Sequence, residues 1–161
     1  MFANLGFYYV SVNYRGCDGY GKQFAAMKDS AGGVEDIMAA RDYLIKNEPV
    51  DASKMILRSS SGGDVAVFEL IKNKPGLWAG AILDHPGRAV EIDSSFPPML
   101  VIASDQDRFY PAATNIFNRG KAADVDVRLL VYTNETHSIY KTGLQNDLYR
   151  KAGKFCLDLA K

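Results

Sequence analysis

Only two of the 161 residues are cysteines, Cys17 and Cys156, too few and too far apart for a disulfide framework. They read as reduced thiols and lead us to expect a cytoplasmic setting. Histidine is equally scarce: His85 and His137 stand alone, with no CxxC or HExxH spacing, so neither a metal nor another cofactor is expected. Long apolar runs are missing, and none approaches the ~18 residues of a membrane span. No basic segment followed by an apolar stretch opens the chain. Excess charge is missing too. Nineteen basic residues balance nineteen acidic ones, which argues against nucleic acid or an anionic membrane as partner. Neither an internal repeat nor a low-complexity segment is present.

What is present is alternation. FYYVSVNY (7–14) is β-branched and aromatic, and reads as a buried strand ending in the turn-rich RGCDGYGK. GGVEDIMAARDYLIKNEP follows, with Val34, Ile37, Met38, Leu44 and Ile45 on helical spacing and Pro49 closing it. KMILRS (54–59) predicts a short strand, and SGGDVAVFELIKNKPG (61–76) a helix stopped by Pro75 and Gly76. LWAGAILD (77–84) and PPMLVIASD (97–105) predict strands, and PAATNIFNRGKAA (111–123) a helix with Pro111 in its first turn. VDVRLLVYT (125–133) completes the strands, and Leu144, Leu148, Ala152, Phe155 and Leu159 line one face of a closing helix. Near-continuous apolar strands alternating with helices imply a single α/β domain over residues 1–161. Its mostly parallel sheet of about five strands is covered by helices on both faces.

In such sheets the working residues sit in loops at the carboxyl ends of the strands. After 54–59 comes a serine cluster, SSSGG; after 97–105 come Asp105 and Asp107; after 125–133 comes His137. The order Ser, Asp, His at the ends of successive strands is that of the α/β-hydrolase triad. The chemistry needs those types. A serine hydroxyl is a weak nucleophile, so an imidazole must take its proton, and a carboxylate must orient that imidazole. His85 also ends a strand, but it precedes both aspartates and reads as a loop residue.

With these residues in place, the chain resembles the prolyl-oligopeptidase-type (S9-like) serine peptidases and their esterase-like relatives. VSVNYRGCDGYGKQF resembles that family's NYRGSxGYGxxF loop, SSSGG its GxSxGG elbow, and DRFYP its D-x-x-V-P. The resemblance covers essentially residues 3–160. It implies Ser60 as nucleophile, Asp107 as acid and His137 as base, with the Ser61 N–H and the Tyr14 loop as oxyanion donors. It also implies an α/β-hydrolase catalytic domain lacking its amino-terminal strands, acting on a small-molecule ester or peptide substrate.

Two departures complicate the elbow. Arg58 fills the place of the family's first glycine if Ser60 is the nucleophile. Bare sterics favour Ser61, flanked by Ser59 and Gly63, while the glycine-pair spacing favours Ser60. The family's preceding central strand is also absent, so the elbow strand has a free edge and the oxyanion hole is half built. Losing one such donor costs about 10²–10³ in rate. An edge is covered by closure, repacking or another chain, so either a homo-oligomer through that edge or the 7–14 strand repacked beside 54–59 is expected. The readings that follow are a serine hydrolase or, in a different class, an inactive fragment serving as an oligomeric or interaction module. A flavodoxin-like binding domain using Asp105 and Asp107 would leave His137 and the serines unexplained.

Overall fold

The structure, a computed structural model, describes residues 2–27 and 30–161. Two compact units can be described, Phe2–Ala52 and Ser53–Lys161.

In the unit Ser53–Lys161, four apolar segments become parallel strands: β1 (Ile56–Ser60), β2 (Gly80–Asp84), β3 (Met99–Ser104) and β4 (Val127–Tyr132). They lie side by side in chain order, each paired in parallel with the next. Every residue of β3 is buried, as expected of a central strand covered on both faces. Parallel neighbours need crossovers. α3 (Asp64–Asn73) joins β1 to β2 and α4 (Tyr110–Ala122) joins β3 to β4, whereas β2 reaches β3 through an irregular segment. The chain closes on α5 (Thr142–Leu159).

Small residues show which helix covers which face. A Cβ on Gly80 would lie 2.4 Å from Leu159 Cδ1, so the Gly80 side of β2 faces α5. A Cβ on Gly120 of α4 would lie 2.3 Å from Val127 Cγ2 and 3.8 Å from Met99 Cε. Met99 pairs with Ala81, the next residue after Gly80, and successive strand residues point to opposite faces. α4 and α5 therefore cover opposite faces. Ser59 pairs with Leu83 on the α4 side and meets the Gly63 turn that leads into α3, so α3 shares that side. Phe155, Leu70, Ile71, Ile82, Met99, Ile102 and Ile116 fill the two interiors.

The unit Phe2–Ala52 is helical. A short α1 (Lys22–Ala26) and the long α2 (Ser30–Asn47) follow a loop in which Gly16, Gly19 and Gly21 all take positive φ. Arg15 clamps this loop to α2. Its guanidinium donates through Nε and Nη2 to the two Asp36 oxygens at 3.0 and 2.6 Å, and its N–H to Oδ2 at 2.8 Å. Those bonds hold the Asp36 carboxyl below its usual range.

Segment 7–14, expected as a buried strand, carries no strand assignment, and Tyr8 and Tyr9 are exposed. Among the described residues the sheet has four strands rather than about five. A strand exists through ladder bonds to a neighbour, and β-branched or aromatic composition does not provide the neighbour.

Phe155 is 2% exposed between α5 and the sheet. Phe155→Ala should cost about 3–5 kcal/mol in urea denaturation, while Tyr140→Ala, at a side chain 77% exposed, should change stability by less than about 0.5 kcal/mol.

Candidate active site

The site is built at the carboxyl end of the sheet, beginning where β1 runs into α3. The last strand residue, Ser60, is extended at φ −132, and the next, Ser61, is at φ +51. A left-handed serine is costly in most contexts and is found where the surrounding fold imposes it. Here the cause is a one-residue reversal from strand to helix. Gly63 follows so closely that a Cβ there would sit 3.4 Å from Ser59 Cβ. The positions two before and two after Ser61 therefore lie side by side across the turn.

That geometry moves the elbow by one residue from the Ser60 expectation. The structure sets Ser61, not Ser60, against the imidazole: Ser61 Oγ lies 2.8 Å from His137 Nε2. Ser60 sits on the strand side of the turn, exposed, lining a neighbouring cavity of about 140 Å³ with Asp84, His85, His137 and Tyr149. Arg58 falls outside the turn altogether. It shares the α5 side of β1, and its Nη2 lies 3.4 Å from Asp84 Oδ2. The long side chain is tolerated because it points to the face opposite the Ser59–Gly63 contact.

His137 Nδ1 lies 2.7 Å from Asp107 Oδ2. Asp107 follows β3, is 6% exposed, and accepts the Phe109 N–H at 3.1 Å through its other oxygen. Burial pushes the Asp107 carboxyl up. The bond from His137, the Phe109 N–H and the fields of His137 and His85 outweigh it, so the carboxyl ends below its ordinary value. The carboxylate only accepts, so in the neutral ring the proton is on Nδ1, and Nε2 accepts the Ser61 O–H. His137 itself is 41% exposed at its side chain, open to an incoming molecule. Asp105, the other candidate acid, instead accepts the Asn134 N–H at 2.8 Å and joins the two loops.

Tyr14 belongs to the unit Phe2–Ala52, where its ring lies beside Gly33 of α2. The Ser61 N–H, expected as an oxyanion donor after Ser60, belongs to the residue that carries the hydroxyl. The donor one residue further on is the N–H of Gly62, at the 3₁₀ turn Ser61–Gly63 that leads into α3. Asp64 escapes sequence reading. Fully buried in the first turn of α3, it accepts the N–H groups of Gly87 and Arg88 at 2.8 and 3.1 Å. Because its partners are backbone groups, no residue type signals them. Among the described residues, no group of three or more His, Cys, Asp or Glu side chains is placed to hold a metal ion.

A parallel sheet with a strained serine turn, facing a histidine and an aspartate from later loops, defines an α/β-hydrolase fold and site. Comparisons with known proteins agree. The prolyl oligopeptidase family matches residues 1–96, more than half of the chain, and the chain belongs to that family. The human acylamino-acid-releasing enzyme is 22% identical over 199 residues, covering 94% of this chain and 27% of the enzyme. The chain thus spans about a quarter of the length of such curated relatives. Porphyromonas gingivalis dipeptidyl peptidase 4 superposes with a TM-score of 0.77 at 16% identity, over 90% of this chain and 26% of that one. A Rhizomucor miehei esterase structure superposes at 0.68 and 13% identity, over 80% and 59%.

A group whose folded carboxyl titrates below its unfolded value adds stability at pH values above the unfolded one and loses it as pH falls through the folded one. With an unfolded value near 3.8, Asp107 should contribute fully at neutral pH and lose that contribution in acid. Urea midpoints followed from pH 6 downward should fall more steeply for wild type than for Asp107→Asn.

Proposed function

We propose that the unit Ser53–Lys161 carries the catalytic centre of a serine hydrolase acting on ester or short-peptide acyl bonds, with Ser61 as nucleophile. The observation that supports this reading is the continuous chain Asp107–His137–Ser61, at 2.7 and 2.8 Å, ending on a serine held at φ +51. As Ser61 Oγ attacks the acyl carbon, its proton passes to His137 Nε2. Asp107 keeps the ring in the tautomer that can accept the proton and stabilises the resulting imidazolium. The Gly62 N–H, one residue past the nucleophile, faces the developing oxyanion. His137 then protonates the leaving alcohol or amine, and water regenerates the serine by the same route in reverse. Names of relatives that release acylated amino acids, together with esterase neighbours, support acyl transfer as the reaction class without choosing the leaving group.

The discriminating experiment is labelling with a fluorophosphonate probe, which reports an activated serine whatever the natural substrate. Wild type and Ser60→Ala should label, Ser61→Ala should not, and His137→Ala should slow labelling by about 10²–10⁴-fold. Loss of labelling in Ser60→Ala with retention in Ser61→Ala would reverse the assignment. A wild type that does not label would favour an inactive interaction module.

Assembly through the sheet edge remains part of this reading. β1 pairs with β2 alone, so its other side carries no ladder partner among the described residues. A second copy could extend the sheet there. Light scattering over a concentration series should give a dimer mass. A monomer at all concentrations would refute edge pairing.

A further inference from the structure

Beside the chain that ends on Ser61 lies a second polar chain that the proposed reaction does not use. His85, just past β2, is 4% exposed and holds φ +52. Its N–H donates to the Ile102 carbonyl at 2.8 Å. Its Nδ1 lies 2.7 Å from Asp84 Oδ1 and its Nε2 2.8 Å from Ser104 Oγ, a hydroxyl on a fully buried residue. The other Asp84 oxygen faces Arg58 Nη2 at 3.4 Å. The His85 ring meets the His137 ring edge to face, centroids 5.6 Å apart at 70°, and Phe109 makes a similar contact at 5.2 Å.

The hydrogen-bond chemistry leaves little freedom. A carboxylate only accepts, so a neutral His85 carries its proton on Nδ1, and Ser104 must donate to Nε2. A buried ring satisfied at both nitrogens cannot turn without abandoning both bonds, and each lost bond leaves a buried polar group unpaired. His85 is therefore a fixed wall for the His137 ring. Arg58, paired with the same carboxylate, braces the Asp84 end of the chain. Groups that face this cluster include Asp107 across His137, Tyr132 of β4, which senses Asp84, Cys156 of α5, which senses Arg58, and Gln145 and Tyr149 in the shared cavity.

We propose that His85 is a positioning residue for His137: the Asp84–His85–Ser104 chain holds the His85 ring as a fixed wall that sets the His137 imidazole for proton exchange with Ser61. This rests on the reading of Ser61, His137 and Asp107 as the reacting set. It also gives Arg58 a role in the site, at a position where the family resemblance calls for glycine.

The test uses p-nitrophenyl acetate hydrolysis as a function of pH, with ¹⁵N NMR of the imidazoles, which is simple because the chain has only two histidines. His85→Gln should lower kcat by about 10- to 10²-fold with KM unchanged. Ser104→Ala, which removes the donor to Nε2 and loosens the ring, should lower kcat in the same sense, again without a change in KM. His85→Gln should also move the ¹⁵N signals of His137, because its ring loses the edge contact. An unchanged kcat in a folded His85→Gln, a loss carried by KM instead, or His137 signals that do not move would overturn the proposal. If wild type neither hydrolyses the ester nor takes up the fluorophosphonate, the reacting set is what fails. The His137 signals of His85→Gln still decide the ring contact in that event.

Discussion

Most of the site depends on a single steric constraint: the chain must turn from β1 into α3 through the three residues Ser61–Gly63, with the reversal taken at Ser61. The reversal forces Ser61 into left-handed backbone and brings the neighbourhood of Ser59 against Gly63. Strain of this kind persists only where surrounding structure over-determines it. Here β1 holds one side through its pairing with β2. On the other side Asp64, buried in the first turn of α3, anchors the loop after β2 through the Gly87 and Arg88 amides. The serine hydroxyl is then presented clear of the sheet, where loops after β3 and β4 bring Asp107 and His137 to it. The three side chains meet although they lie far apart in sequence.

A second tier of polar groups surrounds the first. Arg58, Asp84, His85 and Ser104 come from three neighbouring strands or their ends, on the face covered by α5. Buried polar groups are tolerated when their bonds are complete, and such networks then fix side-chain orientation more firmly than apolar packing does. The His137 ring touches this network by ring contact alone. Shape and field, rather than a direct hydrogen bond, connect the two tiers.

Much of the architecture was legible in the sequence because the signals are local. Apolar runs bounded by Gly and Pro marked the strands, and the 3.6-residue spacing of Leu144, Leu148, Ala152, Phe155 and Leu159 marked α5. The Ser–Asp–His order across successive strands picked out His137 and Asp107 over His85 and Asp105, and those two side chains do meet in the structure. Segment 7–14 misled for a physical reason. Its composition suits a strand, yet strand formation depends on a neighbour whose presence is not written in the segment. The elbow was ambiguous for a different reason. Counting from the glycine pair points to Ser60 and steric reasoning to Ser61, and only the backbone reversal sets the Ser61 hydroxyl beside His137.

By itself, then, the sequence determined the class of fold, the strand ends that carry polar side chains, and the residue types able to perform acyl transfer. Hydrophobic periodicity and turn chemistry act over a few residues and can be read from a string. Tertiary structure alone decided which of three adjacent serines faces the imidazole, where Arg58 goes, and that a histidine read as a loop residue is buried against His137. Those outcomes turn on ångström-scale approach between strands and loops distant in the chain. A one-residue shift at a strand end turns a side chain to the opposite face, and no composition or spacing rule records which shift the packed fold selects.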